Sequence, residues 1–267
     1  MLTDIMLGQY FPGDSLIHRL DPRTKILFTL SFISSIFLAE SSFSYLSLTA
    51  FIVILVLISR IPLGMVLKSL KPLWMIVALT LAIHLVTTPG TVLYSWGPVA
   101  VTQEGVRQGL LMSGRLVFLI IVSSLLTFTT SPIALTDGIE QLLTPFKKFG
   151  LPAHELAMMM TIALRFIPTL LEETDRIIKA QTARGADFTS GSIIRRAKNM
   201  VPILVPLFIS AFRRADELAT AMEARCYRGG EGRTRMKEMM FDRADWLAFA
   251  VTIAFIGLLL ALRLTGR

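Results

Sequence analysis

The 267-residue sequence predicts an all-α, polytopic membrane protein: about five transmembrane helices joined to a cytoplasmic helical domain of long amphipathic helices. Three observations predict it. Hydrophobic residues make up 53% of the chain and charged residues only 17%, too apolar a balance for an ordinary soluble domain. Apolar runs long enough to cross hydrocarbon recur up to residue 130 and again after residue 242. Between those regions the apolar positions become periodic at three-and-four spacing, the pattern of a helix with one apolar face. The boundaries that follow are 1–130 for an N-terminal segment and four spans, 131–241 for the amphipathic helices, and 242–267 for a last span.

Met1 to Leu20 mixes turn formers and charge, including Pro12-Gly13-Asp14-Ser15, and reads as a short surface segment. Asp21-Pro22 is a helix start, with Asp as N-cap and Pro in the first turn, where its missing N–H is no loss. From Ile26 to Ser59 the only charge is Glu40, which leaves room for two spans of about 17 residues with a bend at Glu40-Ser41-Ser42. Arg60-Ile61-Pro62 stops the second span. With Lys68 and Lys71, this loop is basic and therefore expected on the cytoplasmic side.

Pro72 to Thr88 is a third span containing His84, and Tyr94, Trp96 and Pro98 suit an outer interface. Leu110 to Thr130 is the fourth, entered past Arg107 and Arg115, and Arg115 is expected to snorkel towards headgroups. Ser131-Pro132 repeats the helix-start signal. Leu156, Met160, Leu164, Ile167, Leu171 and Ile178 then follow helical spacing, as do Leu204, Phe208, Phe212, Ala215 and Met222. Pro168, Pro202 and Pro206 should kink these helices or mark their first turns rather than abolish them. Gly229-Gly230 to Lys237 is a charged loop, and Asp242 caps a last span from Trp246 to Leu262.

The net charge is +8, yet residues 131–243 hold 17 of the 27 Lys+Arg and 13 of the 19 Asp+Glu. That mixture, without a basic stretch interleaved with aromatics, argues against nucleic acid as a partner. A single cysteine, Cys226, excludes an internal disulfide and any cysteine metal cluster. Arg23 and Lys25 before an apolar run could open a signal peptide, but the second apolar run after Glu40 favours a first span.

The chain's most informative feature is a weak repeat. Displacing the sequence by 41 residues superposes Asp175 on Asp216, Ala180 on Ala221, Ala183 on Ala224 and Arg184 on Arg225, while Glu172-Glu173 falls on Arg213-Arg214. An arginine in the last turn of a helix is expected on stability grounds alone, because it meets the orphan carbonyls and the negative end of the dipole. The pairing adds a functional reading: two helices with similar last turns, each arginine flanked by small residues that let a guanidinium enter a partner's groove. Two such tips suit a pair of similar soluble partners.

With Tyr10-Phe11-Pro12-Gly13-Asp14-Ser15, His18-Arg19-Leu20-Asp21-Pro22-Arg23-Thr24-Lys25 and the two Ala-Arg tips, the sequence resembles the transmembrane T component of energy-coupling factor (ECF) transporters, the EcfT/CbiQ type, over nearly its whole length. The resemblance implies that Ala183, Arg184 and Gly185 on one coupling helix, and Ala224, Arg225 and Cys226 on the other, dock into two ABC-type ATPases. Cys226 stands where the triplet has glycine. It also implies a substrate-binding S component that leans on the coupling helices and delivers a vitamin or metal ion, in the cell membrane of a prokaryote. Met158, Met159 and Met160 are soft side chains suited to a surface that accepts several partners, or else plain packing.

Other chemistry is missing its parts. His154-Glu155-Leu156-Ala157-Met158 opens like a zinc-protease helix but has methionine where the second histidine belongs. No phosphate-binding glycine loop with lysine occurs, so ATP is not expected on this chain, no cofactor is expected either, and the lack of a Gly-x-Ser-x-Gly elbow leaves an intramembrane hydrolase without a nucleophile signature. His84 reads as a packed histidine and His18 as a surface one. Three readings stay open on the residues: a non-catalytic transporter subunit, shared or dedicated to a single metal-ion system; a membrane enzyme with a polar site at mid-bilayer depth; and a scaffold docking a non-ATPase partner.

Overall fold

The computed structural model describes residues 10–39, 41–96, 99–186, 188, 192–230 and 239–265. Met1 to Gln9, the bend residue Glu40, Pro98, Glu231 to Glu238 of the expected charged loop, and Arg267 lie outside them. The chain divides into two units, one comprising Gly8–Gly138 and Lys237–Arg267, the other Ile139–Met236. Each is described by itself.

In the first unit, α1 (Leu16–Arg19) precedes α2 (Pro22–Leu38) and α3 (Ser42–Ser59), the expected hairpin. The Asp21 carboxylate accepts from Arg23 N–H at 2.9 Å, the N-cap that Asp-Pro announced. Arg60, at φ 53°, takes the left-handed conformation that ends α3. A short α4 (Leu63–Leu70) runs through one 3₁₀ turn into α5 (Trp74–Thr87), so the third apolar helix starts earlier than its continuous apolar run. Strands β1 (Val92–Trp96) and β2 (Val99–Thr102) pair antiparallel. This hairpin was not anticipated; Tyr94 and Trp96 alternate with smaller residues, a period-2 signal that interface composition masked. Helix α6 (Gln103–Thr129) follows, then α7 (Pro132–Leu143), whose Ser131 side chain caps Ala134 N–H, and the unit closes with α10 (Arg243–Thr265).

Helix α6 packs against α2, α3, α4 and α5, and α10 lies on α2 and α3. Phe32, Ile36, Leu48, Val122, Phe128 and Leu259 fill the core between them. Phe32, Phe51 and Phe255 join α2, α3 and α10 in a stack with ring centroids 4.2 to 5.6 Å apart. The α5–α6 contact is made differently, through small residues four apart on α6. A Cβ on Gly105 would lie 2.8 Å from His84 O, one on Gly109 would lie 3.3 Å from Leu81 O, and Ser113 Oγ donates to Val77 O at 3.3 Å. In a bilayer, where lipid is as apolar as leucine, such close approach of backbones is what drives helices together. His84 Nδ1–H donates to Thr80 O at 2.9 Å within α5, a packed histidine as expected. Arg115 reaches Ala39 O at 3.2 Å and lies over the Phe37 ring, so its charge caps the end of α2.

The N-terminal stretch departs from the surface segment expected. Ser15, Asp21 and Lys25 are buried. Lys25 Nζ donates to His18 O and to Thr129 O, both at 2.9 Å. Phe11 N–H donates to Phe128 O, and His18 bonds Phe11 O and Ser15 Oγ, so His18 is partly buried rather than superficial. Arg23 brackets the Asp21 carboxylate through Nε and Nη2, reaches Met239 O, and stacks over Phe241 at 4.1 Å. Asp245, 2% exposed, accepts from Asp21 N–H and from Asp242 N–H, at 2.9 Å each. That second bond is the return half of a capping box, a side chain in the first turn satisfying the N–H of the residue before the helix, and the first ties the start of α2 to the start of α10.

In the second unit, the end of α7 leads through a 3₁₀ turn (Thr144–Phe149) to α8 (Ala153–Ala183) and α9 (Ile193–Ala224), which pack along one another. Pro168, Pro202 and Pro206 all lie inside these helices without ending them. Helix α9 starts six residues before the expected Asn199. Among the described residues, four helical stretches are long and apolar enough to cross a membrane: Leu63–Thr87, Gln103–Thr129, Arg243–Thr265 and α8 itself. The chain is thus an all-α polytopic membrane protein, with α2 and α3 at the short end of spanning length.

Candidate functional site

Both arginine tips end in the same backbone motif. At the end of α8, Ala186 N–H donates to Gln181 O at 3.0 Å and Gly185 N–H to Thr182 O at 2.9 Å. At the end of α9, Tyr227 N–H donates to Met222 O at 3.0 Å and Cys226 N–H to Glu223 O at 2.9 Å. These are two Schellman caps whose bonds coincide residue for residue under the 41-residue displacement, with Arg184 and Arg225 each at the cap position. Gly185 takes the left-handed conformation the motif requires, at φ 87°, and Cys226 adopts it too, at φ 56°. The departure from glycine therefore leaves the turn intact and loads it with the strain of a Cβ in that region, about 1 kcal/mol. Ala183, Arg184, Gly185, Ala224, Arg225 and Cys226 are all exposed.

The helices run antiparallel. Tyr227, just past the end of α9, contacts His154 and Met158 in the first two turns of α8, so the tips lie at opposite ends of the pair. The 31 residues of α8 separate them by a distance on the order of 45 Å. Midway, Glu173 and Arg214, equivalent positions of the repeat, face each other at 3.6 Å. This partly exposed pair contributes at most about 1 kcal/mol, so it orients the crossing more than it stabilises it.

The apolar faces expected to pack are only partly covered. On α9, Leu204, Phe208 and Phe212 are exposed, with Val201, Val205 and Ile209 beside them. The methionine triplet divides: Met159 and Met160 are exposed, whereas Met158 is partly buried and accepts from the Tyr227 hydroxyl at 2.9 Å. Sequence reasoning passed over two things here. His154, dismissed as an incomplete zinc motif, bonds Glu140 Oε1 at 2.9 Å and Tyr227 Oη at 3.2 Å, contacts that no spacing rule signals. Gly105, Gly109 and Ser113, by contrast, were legible as a small-xxx-small pattern.

Comparison with known proteins gives the chain its family. A family model described as cobalt transport protein, CbiQ, matches residues 13–236. An energy-coupling factor transporter transmembrane protein EcfT from Acidaminococcus fermentans is 65% identical over 263 residues, 98% of each chain. Proteins of the same name from Ruminiclostridium cellulolyticum and Bacillus subtilis are 58% identical (96% of each chain covered) and 49% identical (98% of this chain, 100% of the relative).

Proposed function

Because this chain belongs to the EcfT/CbiQ family of energy-coupling factor transporter membrane components, we propose that it is the non-catalytic subunit that passes ATP-driven motion from two ABC-type ATPases to a substrate-binding S component during vitamin or metal-ion uptake. The observation that carries this reading is the matched pair of caps at opposite ends of one helix pair. Arg184 and Arg225 are presented by identical turns, too far apart for one small domain to grip both, as two similar soluble partners would need. Each guanidinium is exposed and takes no part in the bonds that hold its own turn, so it is free to enter a groove and meet carboxylates or carbonyls in fixed geometry.

When the ATPases close, the grooves move relative to each other, and stiff helices convert that displacement into a change of their crossing. The S component would rest on apolar surface that the pair leaves open: Leu204, Phe208 and Phe212 on α9, with Met159 and Met160 on α8. Soft methionines beside a stripe of leucine and phenylalanine tolerate different carriers in the same place. The ATPases and the S component reach the chain from opposite sides of this logic, one through charge and the other through apolar area.

The test is copurification and transport with charge-reversed tips. Arg184→Glu with Arg225→Glu should leave the chain folded and membrane-inserted but release the ATPases, because reversing a buried interface charge typically costs roughly 2–5 kcal/mol. A double variant that retains both ATPases and transports at the unaltered rate would overturn the assignment. If two Walker-motif ATPases never accompany the unaltered chain, a scaffold for another soluble partner becomes the better reading.

A further inference from the structure

We propose that Tyr227 and His154 form a strut that carries movement of the Arg225 tip into the first two turns of α8; the inference rests on the reading of that tip as an ATPase docking point. Tyr227 stands two residues past Arg225, and its backbone is fixed to α9 by the cap bond to Met222 O. Whatever moves Arg225 therefore moves Tyr227. The phenol oxygen lies 2.9 Å from Met158 Sδ and 3.2 Å from His154 Nε2, and the other imidazole nitrogen lies 2.9 Å from Glu140 Oε1. The strap after the tip is laid directly on the ring: a Cβ on Gly230 would come within 2.7 Å of His154 Cδ2.

The proton count keeps the chain of contacts continuous. With the phenol proton donated to sulfur, Nε2–H donates to the phenol oxygen and Nδ1–H to Glu140. With the ring neutral and protonated at Nδ1, the phenol donates to Nε2 instead. In both arrangements α7, the start of α8 and the segment beyond α9 are held by one side-chain set. Met158 belongs to the same turns as the exposed Met159 and Met160, so a displacement of Tyr227 reorients the surface those residues present. His154 and Tyr227 are positioning residues and touch no cargo.

Intermediacy in space does not prove coupling, so the test must read movement rather than stability. Hydrogen exchange over residues 153–160 is measured in the full chain bound to its ATPases, nucleotide-free and trapped with ATP and vanadate. The unaltered chain should show a difference of about fivefold between the two states, the factor one hydrogen bond carries. Tyr227→Phe, which deletes only the hydroxyl, and Gly230→Ala, which lifts the strap from the ring, should each collapse that difference at 153–160 while it persists at 222–226. A difference preserved in both variants, or exchange raised equally in both nucleotide states, would reduce the strut to a structural contact and overturn the proposal. Failure of the unaltered chain to retain ATPases would instead strike at the docking reading itself.

Discussion

Gly185 and Cys226 occupy equivalent positions with equivalent backbones, yet they hold the left-handed turn at different cost. Nothing lies within 4 Å of a Cβ placed on Gly185, so a substitution there reports backbone strain without collision. Gly185→Ala should weaken the α8 cap by about 1 kcal/mol, read as roughly fivefold faster exchange of the Ala186 amide. Cys226→Gly should change the α9 cap little, because relief of strain is offset by the greater freedom glycine has in the unfolded chain. His18 is tuned by its surroundings: partial burial, with Lys25 opposing and Asp14 and the Phe11 carbonyl favouring charge, holds its pKa below the ordinary 6.5. The neutral ring is thus the form that suits the fold. Its contribution to stability is complete above pH 6.5 and is lost as pH falls through the lowered folded-state value. Thermal unfolding of the unaltered chain should drop more steeply between pH 7 and pH 5.5 than that of His18→Gln; parallel curves would remove His18 from the account.

Among the elements, the α5–α6 pair gives the sharpest contrast. Gly105 has backbone oxygen where its Cβ would go, whereas Gly114, on the same helix, has nothing within 4 Å. Gly105→Ala should therefore cost about 1–3 kcal/mol by forcing the helices apart. Gly114→Ala should be neutral or stabilising by up to about 1 kcal/mol, since alanine is the better helix former. Thermal unfolding of both variants in one detergent checks the pair. Helices α8 and α9 show the opposite logic: they pack along a narrow seam and keep their aromatic and methionine stripes outward, as elements awaiting partners do.

Across the whole molecule, the N-terminal stretch that carried the family resemblance is a fastening as well as a signature. Asp245 holds backbone N–H groups at the starts of both α2 and α10, elements more than two hundred residues apart. Removing its carboxylate strands the buried Asp21 N–H at roughly 1–3 kcal/mol, while the exposed Asp242 N–H can turn to water. Asp245→Ala should therefore lower stability by about 1–3 kcal/mol in equilibrium unfolding, and Asp245→Asn, which keeps one acceptor oxygen, by less. A change under about 0.5 kcal/mol for the alanine variant would show that the fastening is dispensable.

The sequence by itself determined that this chain lives in a bilayer, where α2, α7 and α10 start, and that two helices end alike, because composition, periodicity and capping residues act over a turn or two. Asp21, Ser131 and Asp242 could each be read as caps for that reason. Only the tertiary structure decided that Lys25 and Asp245 are buried, that Glu173 meets its own repeat equivalent Arg214, and that Tyr227 reaches His154 and Met158. Those facts depend on which distant segments share a neighbourhood, and local propensities carry no record of that.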